Sequence, residues 1–418
     1  MSALRRCVLA YSGGLDTSVA VRWLREEQGY EVVTLTADLG GDGRDAADVT
    51  ERALRAGAVA AHVVDARRIF VEHFVFPTLS AGALYEGVYP LATALARPLI
   101  AKLLVEVARE EGAVAVAHGC TGKGNDQVRF DVATAALAPE LEVIAPVRDW
   151  DMGRNDEIAY AAAHGIEVLA TVESPYSVDA NLWGRSVECG PLEDPWREPP
   201  EDVFAWTANP AACDSAGEEL TIGFARGIPV SVDGESLEAE DLVLSLNTIA
   251  GRNGVGRVDH VENRLVGIKS REVYEAPAAV LLHAAHAALE TVALPRDVAH
   301  LKRQFSGEWA RVVYDGLWFG ALRKALAAFV ASTQEHVTGD VRVRCARGGV
   351  TVTGRRALRS LYSTSLATYD RADDVFDHAA ARGFIELFGL SLRTQARVQG
   401  ALEDLAPLSL PRQVRRAR

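Results

Sequence analysis

Through the first 170 residues, short β-rich runs alternate with stretches of helical spacing. The β-rich runs are Val8 to Ala10, Glu31 to Thr36, Ala61 to Val64, Val114 to Ala117, Val143 to Ala145 and Glu167 to Leu169. Parallel strands need long crossover connections, so this alternation predicts a doubly wound parallel sheet of the α/β class. In such sheets ligands bind beyond the carboxyl ends of strands, which singles out the loops after Ala10 and after Ala117.

From about 171 to 208 the pattern changes. Pro175, Pro191, Pro195, Pro199 and Pro200, with Pro210 just beyond, punctuate a Trp- and Asn-rich stretch in which regular elements are not expected. Further on, strand-like runs (Leu220 to Phe224, Val341 to Cys345, Val350 to Thr353) mix with helical ones (Ala276 to Leu289, Leu317 to Ala331). A second domain of α+β type is expected there. In the last 28 residues six Arg stand against two acids, and Val398, Leu402 and Leu405 share one helical face. This predicts a C-terminal helical arm that packs on another subunit. The expected divisions are 1–170, 171–390 and 391–418.

A chain of 418 residues exceeds the size at which one core stops growing, which agrees with two domains and a tail. Its 49% hydrophobic and 24% charged residues are ordinary for a globular protein. With 44 Lys plus Arg against 57 Asp plus Glu, the formal net charge is −13, which repels a polyanion, so nucleic acid is not an expected partner. Five cysteines, at 7, 120, 189, 213 and 345, form no close pair and fit neither a disulfide scaffold nor a zinc site. The apolar run Cys7 to Tyr11 is too short for a signal segment, and no stretch of about 18 apolar residues exists. No membrane association and a cytoplasmic location are expected.

The sharpest string is Ala10-Tyr11-Ser12-Gly13-Gly14-Leu15-Asp16-Thr17-Ser18, which follows a β-run and opens an amphipathic helix. Two glycines let backbone N–H groups approach an anion, Ser12, Thr17 and Ser18 add hydroxyl donors, and the helix N-terminus adds its positive end. No Lys-Ser or Lys-Thr pair closes the loop and a third glycine is missing, so it is neither a Walker A loop nor a dinucleotide fingerprint. A bare Ser-Gly-Gly is more often a turn, with Asp16 as a helix cap. The whole string resembles the pyrophosphate loop of the N-type ATP pyrophosphatase group, whose members cleave ATP between the α- and β-phosphates.

The second string runs from His118 to Phe130: His-Gly-Cys-Thr-Gly-Lys-Gly-Asn-Asp-Gln-Val-Arg-Phe. Holding two amino acids requires acceptors for ammonium groups and donors for carboxylates, and Thr121, Lys123, Asn125, Asp126 and Arg129 supply both. The residues from Gly119 onward resemble the signature of the argininosuccinate synthase family. Tyr85 to Leu91, Ala96 to Lys102, Tyr176 to Trp183, Gly254 to Asp259 and Val261 to Arg264 are similar to that family as well, over roughly residues 7 to 390.

The resemblance implies a cytoplasmic, commonly homotetrameric ligase of arginine biosynthesis. It would join citrulline to aspartate through a citrullyl-adenylate, using ATP with Mg²⁺ and releasing AMP and pyrophosphate. ATP would meet Ala10, Tyr11, Ser12, Gly13, Gly14, Leu15, Asp16, Thr17, Ser18, Ala37 and Gly119. Aspartate would meet Thr121, Asn125 and Asp126, and citrulline Tyr89, Asn125, Arg129, Ser177, Ser186, Glu262 and Tyr274. Two departures stand out: Ala94 where some members have Ser, and Gly41 where Gln is usual. The resemblance names no general base and no resident metal ligand. His283 and His286, three apart on a helical pattern, lack a Cys or carboxylate of suitable spacing and read as a helix face. A tRNA-modifying pyrophosphatase would need a basic surface, and a non-catalytic nucleotide binder would show a damaged loop. Neither mark is present.

Overall fold

In the computed structural model of the chain the described residues are 5–41, 43, 45–150, 152–166, 175–370 and 374–400. They fall into two compact units, Met1–Leu361 and Tyr362–Arg418.

In the first unit, β1 (Arg5–Ala10), β2 (Tyr30–Asp38), β3 (Ala60–Asp65), β4 (Ala115–Ala117) and β5 (Glu142–Ile144) form one parallel sheet in the order β3-β2-β1-β4-β5. The central strand reads as a continuous apolar run because helices cover both of its faces. Cys7 and Leu9 pack with Val19 and Leu24 on one side, while Val8 packs with Leu104 and Phe130 on the other. The chain winds outward from β1 to β3 and then crosses to β4, so the order reverses between β1 and β4, where a crevice opens at the carboxyl ends. The run Glu167 to Leu169 lies outside the described residues.

The rest of this unit is antiparallel. β6 (Ser177–Asn181), β7 (Gly184–Glu188), β11 (Arg257–Asn263) and β12 (Lys269–Glu275) form a sheet in the order β11-β12-β7-β6. A second sheet, β10-β9-β8-β13-β14, contains β8 (Glu218–Ala225), β9 (Ile228–Val232), β10 (Glu235–Ser236), β13 (Gly339–Ala346) and β14 (Gly349–Ala357). Leu220, Ile222, Val341 and Val343 of that sheet share a core with Leu282 and Leu289 of the helix Pro277–Ala293. The α+β expectation for this region agrees with that architecture.

The expectation that 171–208 lacks regular elements is corrected by β6 and β7. The prolines flank this hairpin instead of interrupting it, and tertiary contacts fix its turn. Asn181 accepts from Trp183 N at 2.9 Å and donates to Ala92 O at 3.0 Å, while Trp183 Nε1 donates to Pro90 O at 2.9 Å. Gly41, with φ +107°, lies against the same turn, where a Cβ would stand 2.8 Å from Asn181 N. Glycine at this position is therefore a packing requirement.

His283 and His286 lie on the helix Pro277–Ala293, where burial lowers the His283 pKa to about 3 and His286 Nε2 meets Gln334 Oε1 at 2.9 Å. Among the described residues no group of three or more His, Cys, Asp or Glu could hold a metal ion, and no helix is long and apolar enough to cross a membrane.

The second unit contains helices Thr364–Ala367, His378–Phe388 and Leu390–Gln399. Asp377 caps the middle one, accepting from Ala379 N at 3.0 Å. Phe384, Ile385, Leu387, Phe388 and Val398 are exposed. Leu402 and Leu405, expected to continue the apolar face, lie outside the described residues.

Candidate active site

The phosphate-type loop leaves β1 at Ala10 and is tied at once to β2. Tyr11 N donates to Leu35 O at 2.8 Å, and Thr36 Oγ1 donates to Tyr11 O at 2.9 Å. Ala37 follows at the same end of β2. Gly13 takes φ +75°, and Gly14 begins the helix Leu15–Glu26 without a side-chain cap. The first-turn N–H groups are thus oriented as anion donors. Hydroxyls brace the loop from inside: Tyr11 Oη lies 3.0 Å from Ser18 Oγ, and Ser12 Oγ lies 3.1 Å from Thr17 Oγ1. Beside it stands Glu157 of the helix Arg154–Ala163, close enough to feel the Asp16 carboxylate. Burial and the Asp16 carboxylate push the Glu157 carboxyl up to about 8.

The loop after β4 meets the first loop at Gly119, where a Cβ would stand 3.0 Å from Thr17 Cγ2. Thr121 is exposed on its crest, and the helix Asn125–Leu137 carries Asn125, Asp126 and Arg129 inward. Asp126 is held by two guanidiniums, Arg97 and Arg129, each at 2.8 Å, and Arg97 also pairs with Asp179. Burial alone would raise the Asp126 carboxyl, but Arg97 and Arg129 outweigh it and bring it down to about 2. Among the described residues Arg97 Nε and Arg129 Nη2 are buried without a hydrogen-bond partner.

The antiparallel sheet β11-β12-β7-β6 supplies the opposite wall. Directly paired residues of antiparallel strands share a face, and alternate residues along a strand do too. Ser186 pairs with both Asp179 and Tyr274, Ser177 with Glu188, and Glu262 with Ser270. Ser177, Ser186, Glu262 and Tyr274 therefore stand on one face, although they come from four different strands. Tyr274 Oη donates to Glu262 Oε2 at 2.7 Å, and its ring stacks on Tyr89 at 4.2 Å. Asn125 Nδ2 reaches Glu262 Oε1 at 3.5 Å, and Leu265 N donates to Asn125 Oδ1 at 2.8 Å, so the two walls meet at this amide.

Comparison with known proteins bears on this arrangement. The profile of the Arginosuccinate synthase N-terminal HUP domain matches residues 6–167, and that of the Arginosuccinate synthase C-terminal domain matches residues 176–395. The argininosuccinate synthase of Symbiobacterium thermophilum is 55% identical over 397 residues, 95% of this chain and 99% of its own. That of Oceanobacillus iheyensis is 54% identical over 395 residues, 94% of each chain. That of Dehalococcoides mccartyi strain 195 is 52% identical over 399 residues, 96% of this chain and 98% of its own. The chain belongs to the argininosuccinate synthase family.

Several residues that build this argininosuccinate synthase-type crevice were not singled out from the sequence. Arg97 lies within a string that resembles the family, but nothing in that string says that its charge meets Asp126 and Asp179. Glu157 is surrounded by ordinary helical text. Tyr314 closes the helix Arg296–Tyr314, and the following Gly316 (φ +77°) lets the turn approach Arg129, where a Cβ would stand 2.8 Å from Arg129 Cα. The aromatic string Trp309 to Phe319 was the available signal. Ala94, the departure near Tyr89, is fully buried in the helix Ala92–Glu110, and the neighbouring Thr93 Oγ1 lies 2.7 Å from Tyr89 Oη.

Proposed function

We propose that this crevice joins citrulline to aspartate with ATP, forming argininosuccinate and releasing AMP and pyrophosphate, as a step of arginine biosynthesis. One observation carries the reading: the segment after β4 runs so close to Thr17 of the anion-binding loop at Gly119 that a Cβ would crowd it, and at Asn125 it accepts from Leu265 N, just beyond β11 of the opposite wall, at 2.8 Å. The nucleotide end and the amino-acid end are thereby joined.

ATP would lie along Ala10 to Ser18, with Ala37 and Gly119 beside it. Citrulline would be held by Tyr89, Asn125, Arg129, Ser177, Ser186, Glu262 and Tyr274. Aspartate would meet Thr121, Asn125 and Asp126. Arg97 and Arg129 each occupy one Asp126 oxygen. A carboxylate offers about four lone-pair sites, which leaves room for an ammonium. Mg²⁺ would fit Asp16 and Glu157, two neighbouring carboxyl groups whose mutual repulsion a divalent cation would relieve. Bound there, it would neutralise charge on pyrophosphate.

A ureido oxygen is a weak nucleophile and a ureido group holds no good leaving group, so activation must precede amine attack. The ureido oxygen bonds to the α-phosphorus as the bond to pyrophosphate breaks. N–H donors at Gly13, Gly14 and the first helical turn stabilise the departing charge, each well-placed donor contributing about 3 kcal/mol. The aspartate amine then attacks the ureido carbon and AMP leaves. His118 is poorly suited to take the amine proton, because Nε2 meets Asp131 at 2.9 Å and Nδ1 lies 3.3 Å from Cys120 N. The phosphate of the departing AMP receives it.

The family resemblance further suggests a cytoplasmic homotetramer, and the exposed apolar side chains of the second unit give a second copy something to cover. Removing residues 391–418 should then lower the mass seen by light scattering, and an unchanged mass would dispose of that role. The activity itself is tested by adding the three substrates to purified enzyme. AMP and pyrophosphate should appear only with citrulline present, and ATP cleavage indifferent to citrulline would overturn the reading.

A further inference from the structure

The assignments above leave one fully buried hydroxyl at the site without a role, that of Tyr314. Its ring lies flat on Tyr85, with centroids 3.5 Å apart and planes 3° from parallel, and the Arg129 guanidinium stands 4.8 Å from its centroid. Its carbonyl accepts from Arg129 Nε at 2.9 Å. Ring and backbone are therefore fixed before the phenol is considered. That phenol accepts from Asn125 Nδ2 at 2.7 Å and donates to Glu262 Oε1 at 2.7 Å. The direct contact from Asn125 to Glu262 is 3.5 Å, at the limit of a hydrogen bond, so the two residues communicate mainly through Tyr314.

Glu262 is consequently gripped by two phenols, Tyr274 on Oε2 and Tyr314 on Oε1. Among the described residues no cationic side chain lies within ion-pair distance of it, whereas Glu188 and Glu272 nearby share Arg264. An arginine partner would orient Glu262 but cancel its charge. Two hydroxyl donors orient it and leave the charge for a cationic group of the substrate. We infer that Tyr314 is a positioning residue for citrulline: through its hydroxyl it aims the Glu262 carboxylate at the substrate ammonium and holds Asn125 in register with it. This rests on the reading of Glu262 as a citrulline contact.

The test compares Tyr314→Phe, Glu262→Gln and the double variant in the full chain by steady-state kinetics. Tyr314→Phe keeps the ring stack and should melt near the parent enzyme. Citrulline KM should rise about tenfold, the lower end for losing a hydrogen bond to a charged group, with ATP KM changed less than about twofold. Adding Tyr314→Phe to Glu262→Gln should raise citrulline KM by less than about threefold further, because coupled residues are not additive. The parent should also prefer citrulline to 5-ureidopentanoate, which lacks the amino group, and Tyr314→Phe should narrow that preference. An unchanged citrulline KM in Tyr314→Phe, or a full tenfold effect of the same change in the Glu262→Gln background, overturns the positioning role. If Glu262→Gln alone leaves citrulline KM unmoved, the underlying assignment of Glu262 fails instead.

Discussion

The two walls of the crevice are built in different ways. The wall proposed for the nucleotide is nine consecutive residues, Ala10 to Ser18, which present mostly backbone N–H groups from two glycines and a helix start. The wall proposed for the amino acids draws Ser177, Ser186, Glu262 and Tyr274 from β6, β7, β11 and β12, and only strand register puts them on one face. A backbone-built wall resists loss of single side chains but depends on its few anchoring residues. A register-built wall spreads its function over many hydrogen bonds, each removable by itself. Substitutions at the anchoring residues of the first should therefore act steeply on ATP cleavage, and those in the second should divide among substrates.

The largest effect is expected at Asp16, which lies in the first turn of the helix beside Glu157. Asp16→Ala should lower citrulline-dependent release of pyrophosphate by about a hundredfold or more, in line with losing a carboxylate that would hold the Mg²⁺ neutralising the departing charge. Its circular dichroism should match the parent. Ordinary turnover in a folded Asp16→Ala enzyme would remove the basis for contrasting the walls.

Asp126→Asn sharpens the contrast, because Asp126 opens the helix that follows the joining loop and is tied through Arg97 to Asp179 of β6. Losing its charge should raise aspartate KM about ten- to hundredfold, the range for a charge-assisted hydrogen bond, while enzyme-bound adenylate still forms in a single turnover without aspartate. Arg97 and Arg129 would then face one less negative charge, so a lowered melting temperature should accompany the kinetic change. Collapse of adenylate formation with a normal aspartate KM would assign Asp126 to the other half-reaction.

The same contrast explains what could be read from the sequence. Ala10 to Ser18 and Gly119 to Phe130 are contiguous, their glycines have a local physical reason, and each follows a β-run, so both loops were legible, whereas the strand order that sets β1 beside β4 was not. The Ser177–Glu188 hairpin was not, because Asn181, Trp183 and the helix start at Ala92 stabilise it across about 90 positions, while the nearby prolines suggested loop. Ser177, Ser186, Glu262 and Tyr274 were reachable only through resemblance, since a lone hydroxyl or carboxylate in a strand carries no local mark of function. Arg97 and Tyr314 were missed as site residues for the same reason: their meaning lies in partners at Asp126, Asp179 and Glu262.

The smallest predicted effect lies within the amino-acid wall, at Glu272 on β12, two residues from Tyr274. Arg264 must serve both Glu188 and Glu272, and Ser270 Oγ donates to Glu272 at 3.0 Å. One guanidinium cannot neutralise two carboxylates, so burial, with Glu188 and Glu262 adding to it, pushes the Glu272 carboxyl up to about 8 despite the ion pair. In the unfolded chain a glutamate titrates near 4.3. Folding therefore favours the protonated form, and the stability linked to it is fully present below about pH 4 and is lost as pH rises through about 8. The melting temperature of the parent enzyme should fall between pH 5.5 and pH 8.5 more than that of Glu272→Gln, which keeps the shape without the charge. For a unit this large the difference should be about 2 to 4 °C. Because Glu272 sits on the register-built wall, ATP KM should be the same in both proteins across this range. Superimposable melting curves against pH would show that Arg264 satisfies both carboxylates after all, and that this wall stores no charge strain.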